Sequence, residues 1–206
     1  MLDIILVQLT TFGGPVLVAL ALVSIIALSV TIYKSAQFAR LGVGRHKVAR
    51  RAMAAWQAGD RLSALQLVLG DRSALSSVVA SAMATLADNP GDNGLARQAA
   101  TQTALAALGD LARHLRIIET VVQASPMLGL LGTVIGMIEA FGKVSEGGGA
   151  ADPSALAGGI WIALTTTALG LTIAIPFYFV SSWLEGRVEG ERAAMDAAIA
   201  NVTFGK

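Results

Sequence analysis

The chain has 206 residues, of which 54% are hydrophobic and 14% charged, with a mean hydropathy of +0.65. That balance is too apolar for an ordinary water-soluble domain and points to an integral membrane protein. Cysteine is absent, which excludes disulfide frameworks, thiolate metal sites and cysteine nucleophiles together, and a formal net charge of +1 gives no reason to expect nucleic acid as a partner.

The first twelve residues carry Asp3 as their only charge and lack both a basic n-region and a small-residue cleavage site. A cleaved secretory signal is therefore not expected, and residues 1–14 read as a periplasmic N-terminus. From Pro15, which suits a helix start, nineteen residues run to Tyr33 without a charge. At about 1.5 Å per residue they cover about 28 Å, close to the hydrocarbon thickness, so a first transmembrane helix is predicted over 15–34. Lys34, Arg40, Arg45, Lys47, Arg50 and Arg51 follow. The positive-inside rule places this cluster in the cytoplasm, where lipid headgroups are its plainest partner.

Residues 35–119 read as helices, rich in Ala and Leu and broken at Gly59-Asp60, Gly70-Asp71 and Asn89 to Gly94. Asp60 and Asp71 stand where N-caps belong. Leu108, Leu111, Leu115, Ile118 and Val122 recur at three and four, a stripe that predicts one long helix crossing from cytoplasm into lipid. With Phe38 and Trp56 as its only aromatics, the segment has little for a large core of its own. An extended helical stalk is expected, its stripes packing on each other and on neighbouring copies.

A second span is predicted over 120–142. Gly129, Gly132, Gly136 and Ala140 leave one side of this helix almost without side-chain bulk, which favours another helix against it, and Thr133 lies beside the strip. Residues 143–157 form a periplasmic hairpin, with Gly147 to Gly149 flexible and Asp152-Pro153 opening the next helix. The third span, 158–183, lies in a chargeless run from Pro153 to Leu184, with Tyr178 and Trp183 suited to the inner interface. In the tail, 184–206, Val188, Met195, Ile199 and Val202 share a side, which predicts a final amphipathic cytoplasmic helix. On this multi-pass, all-α topology Lys143 is the only one of the fifteen Lys and Arg outside.

Ala163, Thr167, Gly170 and Ala174 make a second smooth, weakly polar strip. Close packing, with each hydroxyl bonded to a carbonyl of the preceding turn, explains it without any further role. Thr165 and Thr166 are turned away from Thr167 by about 100° per residue. A hydroxyl can relay a proton but does not titrate near neutral pH, so threonines alone cannot load and release protons. The apolar heart of the spans holds no carboxyl, consistent with the cost of about 2.5–3.5 kcal/mol for a charge at a helix centre. Glu139, about 240° around the axis from Thr133, is either a proton-entrance acid or the mark of where the helix reaches water. Glu119, near Arg116, is either an exit group or half of a surface ion pair. Pro126 and Pro176 remove backbone donors, so kinks are expected and hinges are conceivable. His46 and His114 lack metal-ligand spacing and read as surface residues. No nucleotide loop, nucleophile elbow or metal motif occurs, so neither an enzyme nor a cofactor is expected.

The run Pro126-Met-Leu-Gly-Leu-Leu-Gly-Thr133-Val-Ile-Gly-Met resembles the second membrane helix of the MotA/TolQ/ExbB family, and Gly159 to Pro176 resembles its third. The resemblance implies a proton-driven motor subunit of the bacterial inner membrane, assembled as a homo-oligomeric ring, five copies around two helices of an ExbD/TolR-like single-span partner with a membrane aspartate. It implies that Thr133 and Thr167 face that acid, and that a TonB/TolA-like protein receives the work. ExbB-like energising of outer-membrane uptake is the first expectation. A TolQ-like envelope role, a gliding motor or a non-conducting membrane scaffold are its rivals, and a MotA-type stator, with four spans and a larger insert, fits less well. The resemblance has one departure: where ExbB and TolQ proteins commonly carry a glutamate five residues before the third-helix threonine, this chain has Ile162.

Overall fold

The computed structural model describes residues 14–146 and 153–204. The expectations for the N-terminus before Gly14 and for the hairpin residues Gly147 to Asp152 lie outside the described residues. Among the described residues there are seven helices and no strand: α1 Gly14–Arg40, α2 Lys47–Gln57, α3 Arg61–Leu69, α4 Ala74–Asp88, α5 Asn93–Ala112, α6 Leu115–Glu146 and α7 Pro153–Phe204. Three of them, α1, α6 and α7, contain apolar stretches long enough to cross a bilayer.

In α1 the buried side chains are Val16, Leu20, Ala27, Lys34 and Phe38, spaced by four and seven along one face. Leu22, Ile25, Ile26, Leu28 and Ile32 are exposed on the others. A helix apolar all round needs an apolar surrounding on its free faces, and lipid supplies one. The helix continues past the predicted end at Lys34 as far as Arg40. Gly42 and Gly44 then turn the chain, at φ +61° and +84°, backbone that glycine adopts without strain.

Capping explains most of the following breaks. Asp60 accepts the Ser63 N–H at 3.1 Å and caps α3, as the sequence suggests, and Asp92 accepts the Leu95 N–H at 2.9 Å to start α5. At α4 the cap is Ser73 rather than Asp71. Asp71 stands two residues further out, where Oδ2 accepts the hydroxyls of Ser73 and Ser76, each at 2.7 Å.

Two further helix boundaries differ from the sequence reading. The stripe from Leu108 to Val122 does not lie on one helix, because α5 ends at Ala112 and α6 begins at Leu115, with His114 at φ +68° between them. The reason is long-range: Lys34 Nζ donates to the Leu111 carbonyl at 2.7 Å and to Gln37 Oε1 at 2.6 Å, with the Asp110 carbonyl at 3.4 Å. A buried ammonium thus takes up carbonyls that a terminating helix leaves unsatisfied and sits where the helix dipole is negative. Lys34 is consequently no headgroup anchor, although Arg40, Arg45, Lys47, Arg50 and Arg51 are exposed. The second difference is in the tail, which is not a separate helix. The third span and the tail are one helix of 52 residues, about 78 Å long.

The chain divides into two compact units, one formed by the chain up to Ile32 with His114–Ser182, the other by Tyr33–Arg113 with the chain from Trp183 on. The second unit carries a core of its own despite its few aromatics. Val78, Val79, Ala82 and Met83 of α4, Ala96, Ala100, Ala104 and Leu111 of α5, and Leu184, Met195, Ala198, Ile199 and Val202 of α7 are buried in it. Alanines on facing helices let the backbones approach closely, so a core forms without large side chains.

The predicted stripe of the tail is therefore real, and it includes an acid. Glu191 is 2% exposed, with Oε1 2.8 Å from His46 Nε2 and in contact with the Gly44 N–H. Arg187 donates to the Val43 carbonyl at 2.6 Å and lies over the Trp183 ring. His46, expected at the surface, is instead the partner of a buried carboxylate.

Candidate functional site

The first unit is organised by the contact between α6 and α7, two antiparallel helices that meet on their small-residue sides. Gly129 lies against Thr166 and Thr167, Gly132 against Thr166, Gly136 against Ala163, Ala140 against Gly159, and Ser125 against Gly170. As residue numbers rise on one helix they fall on the other. The approach is close enough to require glycine at several points. A Cβ at Gly132 would lie 2.7 Å from the Thr166 Cβ and closer still to its hydroxyl, and one at Gly170 would lie 2.5 Å from the Ser125 carbonyl oxygen and 3.2 Å from the Gly129 Cα. Ala163 and Ala174, from the strip predicted on the third span, are buried.

The hydroxyls in this seam have definite partners. Thr167 donates across the helix pair to the Gly129 carbonyl at 3.0 Å. Thr133 donates within its own helix to the Leu130 carbonyl at 2.6 Å and is partly exposed on the edge of the strip. Thr166 is 1% exposed, its hydroxyl 2.7 Å from the Ala163 carbonyl and 3.2 Å from that of Gly129. Thr165 bonds the Trp161 carbonyl on another side of α7.

Thr166 is the residue that sequence reasoning missed, because it was placed by its angle to Thr167 alone. A strip whose centre lies between the two turns one of them to each edge. The signal that could have found it was Gly132: a second glycine one turn beyond Gly129 makes room for a side chain as large as threonine from the facing helix.

The positions of Thr133 and Thr167 follow from helical geometry. At 100° per residue, Thr133 is about 55° to one side of the centre of the α6 strip, and Thr167 is displaced in the same rotational sense on α7. Since the helices are antiparallel, both displacements point to one edge of the pair. Glu139 is on the other edge. It lines a recess with Gly136, Ala140, Lys143, Gly158, Gly159 and Ile162, whereas Thr133 faces a shallow apolar depression with Val134, Met137, Ile138 and Phe141. The structure does not bring Glu139 to the threonines.

Glu139 accepts a hydrogen bond from Lys143 at 2.8 Å, the favourable i, i+4 order on a helix. It shares its recess with Ile162. Glu119 lies exposed near the start of α6, about 15 Å along the axis from Gly129 and about 21 Å from Thr133. Pro126 and Pro176 lie inside α6 and α7, which continue through both. Each deprives the carbonyl four residues earlier, Val122 and Thr172, of its helical donor.

Chemically, the seam offers hydroxyl and carbonyl groups in a dry, closely packed setting, with its carboxylates at the margins. It can orient and hydrogen-bond a proton carrier brought to it. It contains no group of its own that would take up and give back a proton near neutral pH. Among the described residues no group of three or more His, Asp or Glu could hold a metal ion.

The MotA/TolQ/ExbB proton channel family matches residues 71–197, a stretch that includes the whole of α6 and the contact with α7. The chain is 40% identical over 84 residues to a biopolymer transport ExbB homolog of Methanothermobacter thermautotrophicus, covering 41% of this chain and 29% of that one. It is 48% identical over 62 residues to the biopolymer transport protein exbB1 of Vibrio cholerae, covering 30% and 27%. Over 166 residues it is 32% identical to the biopolymer transport protein ExbB-like 1 of Synechocystis sp., covering 79% and 64%. The matched part is thus less than a third of the first two relatives' length. With the family match spanning more than half of its length and several ExbB-named relatives, this all-helical membrane chain belongs to the MotA/TolQ/ExbB proton channel family, in its ExbB-like branch.

Proposed function

We propose that the chain is an ExbB-like subunit of a proton-driven motor in the bacterial inner membrane, coupling proton flow to energised transport across the outer membrane. It works as a homo-oligomer, a pentameric ring by family architecture, around an ExbD/TolR-like single-span partner whose membrane aspartate carries the proton. A TonB/TolA-like protein passes the work to the client. The N-terminus is periplasmic, and the basic cluster, the second unit and the C-terminus are cytoplasmic. The chain is a channel component, not an enzyme.

The observation that carries this reading is the α6–α7 seam. Thr133 and Thr167 stand on one edge of it, and no carboxylate lies between Glu119 and Glu139 or anywhere from Pro153 to Leu184. A pathway with oriented hydroxyls and no titrating group is incomplete without an acid from another chain. Glu139, paired with Lys143 on the opposite edge, marks where α6 reaches outer water, and Glu119 marks the inner boundary. Each charge falling through 100 mV supplies about 2.3 kcal/mol, so the device must cycle and use several protons to do appreciable work.

The test is proton flux in proton-tight vesicles containing the chain with its partner. Thr133→Val with Thr167→Val removes two hydrogen bonds of about 1 kcal/mol each, so flux is expected to fall about five- to thirtyfold with assembly intact. Unchanged flux would remove the lining role. No flux in any version, despite confirmed assembly, would favour a non-conducting scaffold.

A further inference from the structure

The two threonines on the pathway edge have their protons committed, and this fixes which form of a carboxyl they can bind. A threonine hydroxyl has one proton to donate and two lone pairs to accept with. The Thr167 proton goes to the Gly129 carbonyl at 3.0 Å and the Thr133 proton to the Leu130 carbonyl at 2.6 Å. Thr166 makes this arrangement possible. Its hydroxyl has two carbonyls in reach, at 2.7 Å for Ala163 and 3.2 Å for Gly129, and its single proton is better placed toward the nearer. The Gly129 carbonyl is thereby left to Thr167. That carbonyl is also the helical acceptor for the Thr133 amide, so one peptide group fixes both threonines.

We propose that Thr133 and Thr167 act toward the pathway as hydrogen-bond acceptors only, so that the lining binds a protonated, uncharged carboxyl and rejects a carboxylate. The inference rests on the proposed function, which supplies the acid on a partner helix. A neutral carboxyl has an O–H to donate to these oxygens. A carboxylate, which can only accept, meets lone pairs instead. The proton stays on the carboxyl while it is at this level and leaves to water only once the acid has moved past it. A hydrogen bond offered to the neutral form alone raises the carboxyl's apparent pKa. Thr166 is a positioning residue in this scheme, acting through the Gly129 carbonyl.

The sign of that effect is the test. The chain is assembled with a single-span ExbD/TolR-type partner from the same genome. The partner's membrane carboxyl is titrated by the pH dependence of its labelling with dicyclohexylcarbodiimide, which reacts with the protonated acid. With Thr167→Val or Thr133→Val the midpoint is expected to fall by about half to one pH unit, since the neutral form loses its acceptor. Thr167→Ser, which keeps the hydroxyl, should titrate as the wild type does. A midpoint that rises in the valine variants means the threonines donate to the carboxylate and overturns the proposal, as does an unchanged midpoint or a serine variant that behaves like valine. In those cases the motor reading stands, because an acid has been found in the pathway. If no carboxyl of any co-assembled chain is labelled at any pH, both readings fall together.

Discussion

Replacing Gly159 by Ala probes how tightly α6 and α7 are matched. The added Cβ would lie 2.5 Å from the Ala140 Cβ and 3.3 Å from its Cα, whereas carbon atoms at ease stand about 3.5–4.0 Å apart. Both sides of this clash are methyl groups fixed to helical backbone, so relief requires one helix to move against the other. Overpacking of this kind costs about 1–3 kcal/mol. Alanine gains about 0.5–1 kcal/mol over glycine inside a helix, which leaves a net loss of about 0.5–2 kcal/mol. Adding Ala140→Gly transfers the methyl from one helix to the other at nearly constant volume, leaving Gly136 O at 3.4 Å as the remaining close neighbour. The cycle should show a favourable coupling of about 1–2 kcal/mol. Gly142→Ala, which meets nothing within 4 Å, serves as the control and should gain about 0.5–1 kcal/mol. Unfolding of wild type, the Gly159→Ala and Ala140→Gly single variants, the double variant and the Gly142→Ala control in one detergent, followed by circular dichroism, gives the five stabilities needed. The packing argument is refuted if Gly159→Ala matches the control, or if the double variant is no more stable than Gly159→Ala alone.

Three further outcomes concern the second unit. Lys34→Met keeps the stem but abandons the Leu111 carbonyl, so unfolding should become easier by about 1.5–3 kcal/mol, with faster hydrogen exchange at the end of α5. Glu191→Ala leaves the Gly44 N–H and His46 without their acceptor and should cost about 1–3 kcal/mol in the same unfolding measurement, with Arg187→Ala adding a separate loss. The Asp71 carboxyl is held below the usual carboxylate range, chiefly by the Ser76 hydroxyl and further by Ser73, against partial burial. Because its folded value is the lower one, the stability it supplies is present above about pH 4 and is lost as pH falls through the folded value. Acid titration of unfolding should therefore show Asp71→Asn less stable than wild type at neutral pH and the two converging under acid.

Much of this fold could be read from the sequence, because its determinants are local or periodic. A charge-free run longer than a bilayer, a basic cluster after it and glycines at three and four each act within one helix, and α1, α6 and α7 follow from them. What could not be read depends on residues far apart. Lys34 looks like one more cation in a basic cluster until the Leu111 carbonyl, 77 residues away, is placed beside it. Glu191 looks like the polar side of a tail until His46, 145 residues away, reaches it. In both cases a charge is buried by a partner that no window of sequence contains, and in both a helix boundary or loop is set by that partner instead of by propensity.

The seam shows the same division at finer scale, and it bears on function. Sequence periodicity is enough to put Gly129, Gly132 and Gly136 on one face and Gly170 and Ala163 on another. It cannot say how far one helix is shifted along the other, and that shift decides which threonine meets which carbonyl. A displacement of one turn would set Thr167 opposite Gly132 or Ser125 and leave the Gly129 carbonyl to other partners. In the register observed, Thr166 fills the space over Gly132, Gly170 lies against Ser125 and Gly159 against Ala140. That register assigns the Gly129 carbonyl to Thr167, and the assignment commits the Thr167 proton and leaves its hydroxyl oxygen only lone pairs to offer at the edge of the seam.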